Sequence, residues 1–577
     1  MYQFSRYFQL IVVTFLTGLL LSLPACTSET MKSSEGMSSQ ADTKHPEHAL
    51  IDRAGAPLFD GMGSHHHEIT TSDPGAQRYF NQGLILAFSF NHAESIRSFK
   101  AAQRLDPGCA MCYWGEALAT GPNINITSNG KVIMSKDERL TAYAVLQRAV
   151  ARVGNVSEAE RDYISALQKR YSGDVTKERD GLDDAYARAM GKLAMKYPYD
   201  MDAQALYAES LMDTMPWNYW NDDGEPRADT IRVITALEKV LSMSPEHPLA
   251  IHLYIHTVEA SSNPGRAEQA ADRLAALVPG AGHMVHMPSH IYWRVGRYHD
   301  ASSANIAAAN VDEAYIAQCN AQGFYPALYY PHNIHFLWAA STMEGRSALS
   351  IESALRVASN VNVEQVKQFP TIEFFRTIPL LSYVRFGKWD EILNAPEPPA
   401  DFKFSQGIRH YVRGIALTAK GDIEGAKAEQ QALLPLKDTV SIAFLDKRDY
   451  PASLLLEIAN QLLLGEILFA GSDYKGAAAY YANAVEMQDT LAYTEPPFWY
   501  YPTRQALGHA LLMDGKAIEA EAVYRKDLEV FPRNGWSMFG LVQALEAQSK
   551  QGEASVIQAK FDEVWQMSDI KLTASRI

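Results

Sequence analysis

The chain has 577 residues, of which 47% are hydrophobic and 21% are charged, and its net charge is -15 at pH 7. This composition is that of a folded protein, and the length exceeds what one compact core supports, so we expect several domains or a stacked repeat array. The acidic balance argues against a nucleic-acid partner, because neutralising phosphates requires a basic surface.

The N-terminal segment 1–25 has the pattern of a secretory signal peptide, with one arginine, a short apolar run and small residues before Cys26. The stretch Leu-Pro-Ala-Cys at 23–26 resembles the lipobox of bacterial lipoproteins. The resemblance implies cleavage before Cys26 and lipidation of its side chain. Thr27 at the next position implies delivery to the outer membrane of a Gram-negative cell, on its periplasmic face. The alternative is an ordinary signal peptide followed by an incidental cysteine.

Residues 26–74 are polar and lack apolar periodicity, which predicts a flexible linker between the lipid anchor and the folded body. The stretch Ser-His-His-His-Glu at 64–68 is interpreted as a solvated end of this linker, with weak metal binding or capping of a groove as alternatives. Downstream of the signal peptide, the sequence predicts no segment long and apolar enough to span a bilayer. We therefore expect membrane contact only through Cys26.

From Ala76 onward, apolar residues recur at three- and four-residue spacing, which is typical of amphipathic helices. If Ala76 is position 1 of a unit, positions 8, 24, 27 and 32 are Gly83, Phe99, Ala102 and Pro107. This arrangement resembles the tetratricopeptide repeat (TPR), a helix-turn-helix unit. Small residues at positions 8 and 27 let its two helices touch, and the proline ends the second helix.

The same register recurs further along the chain, with glycine at position 8 again at Gly465 and Gly508. The repetition predicts an all-α fold, a TPR-like helix-turn-helix solenoid with insertions, because stacked repeats bury a continuous core. We expect an N-terminal array over 75–345 and a C-terminal array over 346–577.

Three insertions interrupt the predicted arrays, at 121–137, 215–229 and 316–328. The first two are expected between the helices of a unit, and the third between two units. The segment 215–229 combines aromatic residues such as Trp217 with acidic ones. Two interpretations stay open for it: a lid over the groove, or a surface loop whose aromatic residues pack on a neighbouring repeat.

Eight of the 17 histidines lie between positions 252 and 335, and seven of these eight are candidate site residues. These seven are His252, His256, His283, His286, His290, His332 and His335. The TPR resemblance implies that positions 2, 5, 9 and 12 of each first helix line a concave groove. With units starting at 248 and 282, the first five histidines and Glu259 occupy such positions, so we expect them to converge on one concave patch. The last two are expected nearby.

Clustered imidazoles are common ligands of transition metals, and pairs at i,i+3 or i,i+4 can chelate from one helix. The cluster predicts a metal site, with copper or zinc favoured and iron as a third candidate. Met284 and Met287 tilt the prediction towards copper, although core packing explains them equally well. Two other interpretations stay open: a metal-free polar pocket for an anionic or peptide ligand, and histidines with only a structural role. His509 stands alone and is interpreted as structural.

Cys109 and Cys112 form a C-x2-C pair. Outside the cytoplasm a local disulfide is the favoured interpretation, with a redox pair or a soft-metal site as alternatives. Cys319 would then be an unpaired thiol in an insertion.

No standard catalytic motif occurs in the sequence. The prediction is a cell-envelope lipoprotein whose groove holds a metal ion or a peptide, protein or small-molecule ligand, with a role as an interaction scaffold. The alternative is a metal-dependent enzyme, an oxidoreductase or a hydrolase, in which Glu259 acts as a ligand or general base. A site closed by protein ligands favours binding, and an open coordination position favours catalysis.

Overall fold

The computed structural model describes residues 46–577, apart from 126, 129–130, 133, 222–223, 320 and 322–323. The predicted signal peptide and the predicted lipidation site Cys26 lie outside the described residues. In the described part, helices dominate, and the strands are the two-residue segments β1 (Thr127–Ser128) and β2 (Lys131–Val132), which pair antiparallel. The all-α prediction is confirmed.

Twelve α-helices of the described chain begin between residues 46 and 282. They are α1 (Pro46–Ala54), α2 (Pro74–Phe88), α3 (His92–Leu105), α4 (Ala110–Thr120), α5 (Lys136–Val150), α6 (Glu158–Leu167), α7 (Arg179–Lys196), α8 (Met201–Met212), α9 (Ala228–Met243), α10 (Pro248–Val258), α11 (Glu268–Leu277) and α12 (Gly282–His286).

Sixteen α-helices follow in the rest of the described chain. They are α13 (Pro288–Val295), α14 (Tyr298–Cys319), α15 (Phe324–Met343), α16 (Ser347–Ser359), α17 (Val363–Gln368), α18 (Ile378–Arg385), α19 (Trp389–Leu393), α20 (Lys403–Ala419), α21 (Ile423–Leu433), α22 (Val440–Asp446), α23 (Ala452–Ala470), α24 (Tyr474–Asp489), α25 (Arg504–Met513), α26 (Ala517–Val530), α27 (Gly535–Ala547) and α28 (Gln551–Val564).

Consecutive helices pair through the contacts that the repeat pattern predicts. In the pair α2 and α3, a Cβ at Gly83 would lie 2.9 Å from the ring of Phe99, which is fully buried. Glycine at position 8 therefore lets the aromatic residue at position 24 approach the helix backbone. Gly465 meets the ring of Tyr481 in the same way. The helix-turn-helix repeat is confirmed at these positions.

The described chain forms two compact units. The N unit comprises the described residues up to Pro288 together with Ala307–Tyr330, and the C unit comprises Ser289–Ile306 and Pro331–Ile577. The predicted division into arrays over 75–345 and 346–577 stays a prediction.

The described part of the predicted linker, 46–74, packs on the N unit instead of forming a flexible tether. It begins with helix α1, and the hydroxyl of Tyr79 donates to the carbonyl of Ala56 at 2.5 Å. Further along, the backbone N–H and hydroxyl of Thr70 both donate to the carboxylate of Glu160. The linker prediction is wrong here because polar side chains of the segment find partners on the repeats, which its lack of apolar periodicity does not reveal.

The first two insertions lie where they were predicted. Residues 121–135 separate α4 from α5, and residues 213–227 separate α8 from α9. The third insertion is shorter than predicted, because α14 continues to Cys319 and α15 already begins at Phe324. Cys319 is thus the last residue of a helix, where it is buried and its Sγ accepts a hydrogen bond from Arg97.

Helix α23 is long and apolar enough to cross a membrane by length and composition, contrary to the expectation from sequence. More than half of its most apolar window, 56%, is buried among the protein's own helices. Its apolar residues Leu455, Leu456 and Leu463 belong to the core. The hydropathy of α23 is therefore that of a core repeat helix.

Candidate metal centre

Helix α10 presents two histidines on one face. His247 is its N-cap residue and Pro248 occupies its first turn, where a proline needs no N–H partner. Residues four apart on a helix lie one above the other, so His252 and His256 share a face. Every residue of α10 is buried, which places both imidazoles inside the N unit.

His283, on α12, joins this pair. The Nε2 atoms of His252 and His283 are 3.1 Å apart, and one ring nitrogen from each of the three histidines can be chosen so that all lie within 4.8 Å of one another. None of the three residues is more than 2% exposed. Of the seven histidines singled out in the sequence, the structure brings these three together as a compact, buried nitrogen cluster.

Hydrogen bonds to the outer nitrogens fix the orientation of two of these rings. The Nδ1–H of His252 donates to the backbone carbonyl of Phe88 at 2.7 Å. The Nδ1–H of His256 donates to the carboxylate of Glu259 at 2.9 Å. Since a carbonyl and a carboxylate only accept, both rings carry their proton on Nδ1 and keep the lone pair on Nε2. This is the tautomer that metal-binding histidines adopt.

Aromatic rings enclose the cluster. The ring centroid of Phe90 lies 4.5 Å from that of His252 and 5.5 Å from that of His283. The ring centroids of Trp217 and His256 are 5.0 Å apart, and those of Tyr329 and His283 are 4.7 Å apart. These walls lower the local dielectric and favour neutral imidazoles over charged ones.

Two of the enclosing aromatic residues have left-handed backbone conformations. Phe90 has φ 59° and Trp217 has φ 57°. Phe90 follows the end of α2, where its N–H donates to Ala87 and the N–H of Asn91 donates to Leu86, the bonding that usually places glycine at this position. Holding a bulky residue there costs on the order of 1–3 kcal/mol, and such strain concentrates at functional sites.

Three neutral imidazoles form a ligand set that transition metals use. Zinc sites with three histidines leave a fourth position for water or substrate. With Zn–N distances of about 2.0–2.1 Å, ligand atoms of a tetrahedron lie about 3.3 Å apart, close to the 3.1 Å between the Nε2 atoms of His252 and His283. Binding would displace the proton that these two nitrogens share.

Glu259 forms a hydrogen bond with one imidazole of the cluster. Its carboxylate accepts from Nδ1–H of His256, and its role as a ligand or general base stays a prediction. It is 1% exposed and follows directly on α10 as its C-cap. A carboxylate in this position orients the imidazole and raises its basicity.

His283 and His286 lie on one short helix, and His290 lies on the next. Helix α12 ends at His286 and α13 begins at Pro288, because proline cannot donate to the preceding turn and clashes with it. His286 is buried beside the cluster, with its ring 5.9 Å from that of His283. Met284 is fully buried as well, as core packing predicts.

The remaining three histidines belong to the C unit. His290 is buried, its Nδ1 pairs with the carboxylate of Glu495, and its ring lies 5.8 Å from that of His332. His335 stacks on Trp338 at 5.3 Å, and burial lowers the pKa of His335 to about 3. His335 is thus held neutral in an aromatic environment, which is typical of a structural histidine.

The insertion 213–227 packs against α10. The indole N–H of Trp220 donates to the carbonyl of Thr257 at 2.8 Å, and Tyr219 is 2% exposed. Together with the contact of Trp217 on His256, this favours the interpretation that its aromatic residues pack on a neighbouring repeat. The acidic residues 222–223 lie outside the described part of the chain.

A cavity of about 280 Å³ lies next to the histidine cluster within the N unit. Its lining includes Asn91, Gly282 and Tyr325, of which the first two are direct neighbours of Phe90 and His283 in the chain. The hydroxyl of Tyr325 accepts from the backbone N–H of His283 and donates to Asp312, so the cavity wall is tied to α12. The cavity is large enough for a small molecule near the candidate centre.

A second polar cluster was missed in the sequence. The carboxylate of Asp202 is contacted by His67 Nδ1 at 2.7 Å, His65 Nε2 at 3.0 Å and His247 Nε2 at 3.1 Å. The stretch at 64–68 is therefore not a solvated linker end, although His66 itself is exposed. The run of histidines was the only local signal, because its acidic partner lies 135 residues further along the chain.

Replacing Asp202 by asparagine is expected to lower the free energy of unfolding of the N unit by about 1–3 kcal/mol, because three imidazoles lose a shared acceptor. Burial opposes ionisation of Asp202, but hydrogen bonds from the histidines hold its pKa well below 3.8. Burial alone would lower the pKa of His67, but the hydrogen bond and the negative charge of Asp202 raise this pKa above 6.5.

The pH dependence of this effect follows from the two pKa shifts. The contribution of Asp202 is present above its ordinary pKa of 3.8 and is lost as the pH falls through the lowered value. The contribution of His67 to stability is present below pH 6.5, and it is lost as the pH rises through the raised pKa of His67. Urea unfolding should therefore show a larger deficit at about pH 5 than at about pH 9. An equal deficit at both pH values, or a similar one for the exposed Asp229→Asn, would contradict this account.

Comparison with known proteins supports the repeat assignment locally. The family model of the tetratricopeptide repeat matches residues 76–109, the same segment that the sequence pattern delimits. This stretch spans α2 and α3. No curated protein matches the chain.

Several solved helical-repeat structures resemble the chain at low identity. The Cut9–Hcn1 hetero-tetramer of APC/C is 11% identical, with 85% of this chain and 88% of that chain covered and a TM-score of 0.28. The human IFIT1 dimer with m7Gppp-AAAA is 12% identical, with 91% and 94% covered and a TM-score of 0.29. Yeast Tom70 is 12% identical, with 85% and 92% covered and a TM-score of 0.22. At such TM-scores these similarities carry no argument about function.

Proposed function

We propose that this chain is a metal-binding protein on a TPR-like solenoid, in which His252, His256 and His283 hold a transition-metal ion. The observation that carries the proposal is the orientation of the imidazoles. Two of them direct Nδ1–H to fixed acceptors, so their lone pairs lie on Nε2, and Nε2 of His252 lies 3.1 Å from Nε2 of His283. A bonded Nδ1–H stabilises any buried histidine, but here it also leaves Nε2 lone pairs inside the cluster, as metal ligands need.

The ligand set favours zinc or copper(II). Three neutral nitrogen donors suit both ions, and the affinity order of divalent metals places copper and zinc near its top. Copper(I) is less favoured than in the sequence analysis, because it prefers sulfur ligands and the three clustered groups are all nitrogen donors. Iron(II) is a weaker candidate for the same three-nitrogen set.

The cell envelope is the compartment that we propose. The lipobox-like residues 23–26 imply a lipid anchor at Cys26 on the periplasmic side of a membrane. The disulfide between Cys109 and Cys112, the interpretation favoured from sequence, fits an oxidising compartment of this kind. In that setting the repeat helices would provide an additional surface for protein partners, the common use of such arrays.

Metal analysis of purified protein without its anchor tests the proposal. We expect about one equivalent of zinc or copper per chain by plasma mass spectrometry, lost in His252→Ala and in His283→Ala. His66→Ala is the matched control, because His66 is exposed and lies outside the cluster. Circular dichroism checks that the variants keep their helices. No bound metal after loading and dialysis, or equal metal in all four proteins, would overturn the proposal.

A metal-dependent enzyme is the second candidate, favoured by the adjacent cavity and by the number of ligands. Three histidines leave a coordination position open, and the cavity of about 280 Å³, lined by the chain neighbour Gly282 of His283, provides space for a small molecule in the same unit. A zinc ion held by these three histidines would supply Lewis-acid chemistry that turns water into a nucleophile at neutral pH. Hydrolysis of an activated ester by the loaded samples, absent in His283→Ala, would support this function. If the protein binds metal but hydrolyses no ester, the first proposal, a metal-binding protein, is favoured over the enzyme.

A further inference from the structure

A second cavity, of about 250 Å³, lies in the C unit, among helices α18, α20 and α23 and the last residues of the chain. Its volume is far larger than the roughly 30 Å³ that one water occupies in the liquid. Its lining combines aromatic rings with two arginines, Arg385 and Arg576, and one carboxylate, Glu466. Nothing in the metal-binding proposal uses it.

Arg385, at the end of α18, is a buried cation that forms no salt bridge among the described residues, and the buried Asp527 acts on it only at longer range. It is 4% exposed, and its guanidinium lies 3.5 Å from the ring centroid of Trp536. Its hydrogen bond goes to the neutral side-chain oxygen of Gln505, at 2.7 Å, and its Nε has no partner in the described part of the chain. Since burying an unpaired charge costs several kcal/mol, a guanidinium in this state favours an anion beside it.

Arg576 provides a second cation at the cavity wall. Its guanidinium pairs with Glu466, its Nε donates to Nδ1 of His509 at 3.2 Å, and it lies 4.5 Å from the ring centroid of Phe469. The neighbouring Ser575 is fully buried and donates to the backbone of Gln505. The segment that carries Arg576 is thus fixed in place, and the lining holds two guanidinium groups and one side-chain carboxylate.

Tyrosine hydroxyls add neutral donors. The hydroxyl oxygens of Tyr411 and Tyr500 are 3.0 Å apart, and both residues line the cavity together with Tyr501. Burial raises the pKa of each tyrosine, so the hydroxyls keep their protons and can donate. Burial also lowers the pKa of both arginines to about 10, which leaves them charged at neutral pH but poorly stabilised as cations.

We propose that this cavity binds a small organic anion, whose carboxylate or phosphate group pairs with Arg385 and whose apolar part contacts the aromatic lining. A guanidinium presents parallel N–H groups that match two oxygens of such a group. The tyrosine hydroxyls complete the polar end of the site. Trp389 and Phe469 provide its apolar surface.

Titration calorimetry on the full-length protein tests the site with benzoate, succinate and inorganic phosphate as probes, and with choline as the cationic control. We expect saturable binding of at least one anion and no binding of choline. Benzoate binding without phosphate binding identifies a carboxylate ligand, and the reverse identifies a phosphate ligand. Arg385→Gln should weaken binding by about tenfold or more, because the charged hydrogen bonds are lost.

Two further variants keep the test decisive. Ala419→Trp fills the cavity from an exposed lining position and leaves Arg385 in place, so it should abolish binding even if Arg385→Gln does not fold. Arg533→Gln removes an exposed arginine that pairs with Glu563 on the surface, and it should bind like the parent. Absence of binding for all three anions, or equal binding in the parent and in Ala419→Trp, would overturn the proposal whatever the metal analysis shows.

Discussion

Replacing Glu259 by glutamine is expected to weaken metal binding by about 10–100-fold without changing the number of ions bound. Its carboxylate accepts the Nδ1–H of His256 and is 1% exposed, so its negative charge acts on the ring at close range. A glutamine oxygen can still accept this hydrogen bond, but it lacks the charge that makes the imidazole a better donor. The affinity should therefore fall while the ligand atoms stay the same.

Competition titrations with a chromophoric chelator would measure this loss, and the visible spectrum of the cobalt-loaded protein would report the ligand set. We expect the spectrum to keep its shape in Glu259→Gln. A changed spectrum would mean that the carboxylate of Glu259 itself binds the ion, which is the ligand role predicted from the sequence. The control is Glu238→Gln, because that glutamate is half-exposed and pairs with Arg266 away from the histidines. Unaltered affinity in Glu259→Gln would contradict the assigned role.

Replacing Arg170 by methionine is expected to lower the free energy of unfolding of the N unit by about 3–5 kcal/mol. Arg170 is 2% exposed and donates to the carboxylate of Asp213 at 2.6 Å, while Asp183 lies 3.7 Å from its Nε. Burial raises the pKa of Asp213 and that of Glu209, and the positive charge of Arg170 opposes this by stabilising both carboxylates. Removing the arginine leaves these buried acids without their cation.

Urea unfolding of the two proteins would measure this difference. Arg232→Met is the matched control, since Arg232 forms a hydrogen-bonded ion pair with Asp229 on the surface and its loss should cost less than about 1 kcal/mol. A deficit in Arg170→Met no larger than that of the control would show that methionine packing replaces the buried pair. A stabilised variant would contradict the prediction outright.

The helical repeat could be predicted because its signals are local. The contact of Gly83 with Phe99 depends on positions 8 and 24 of a single unit, and the match at 76–109 confirms that unit. The same locality predicted that His252 and His256 share a helix face. It also placed the insertions after α4 and α8, where helix signals stop.

The partners of the histidines could not be predicted in this way. His252 donates to the carbonyl of Phe88, which is 164 residues away, and Asp202 binds histidines from 135 and 45 residues away. No periodicity encodes such pairs, because they depend on how the repeats dock.

The sequence by itself determined the class of fold, the repeat register and the existence of a histidine-rich region. Helix formation and helix pairing follow from spacing along the chain, and spacing is fully present in the sequence. Only the tertiary structure brought the ring nitrogens of His252, His256 and His283 together, placed the Glu259 carboxylate at Nδ1 of His256, and paired the 64–68 stretch with Asp202. These contacts depend on long-range packing, because the way in which distant helices pack together determines the partner of each side chain.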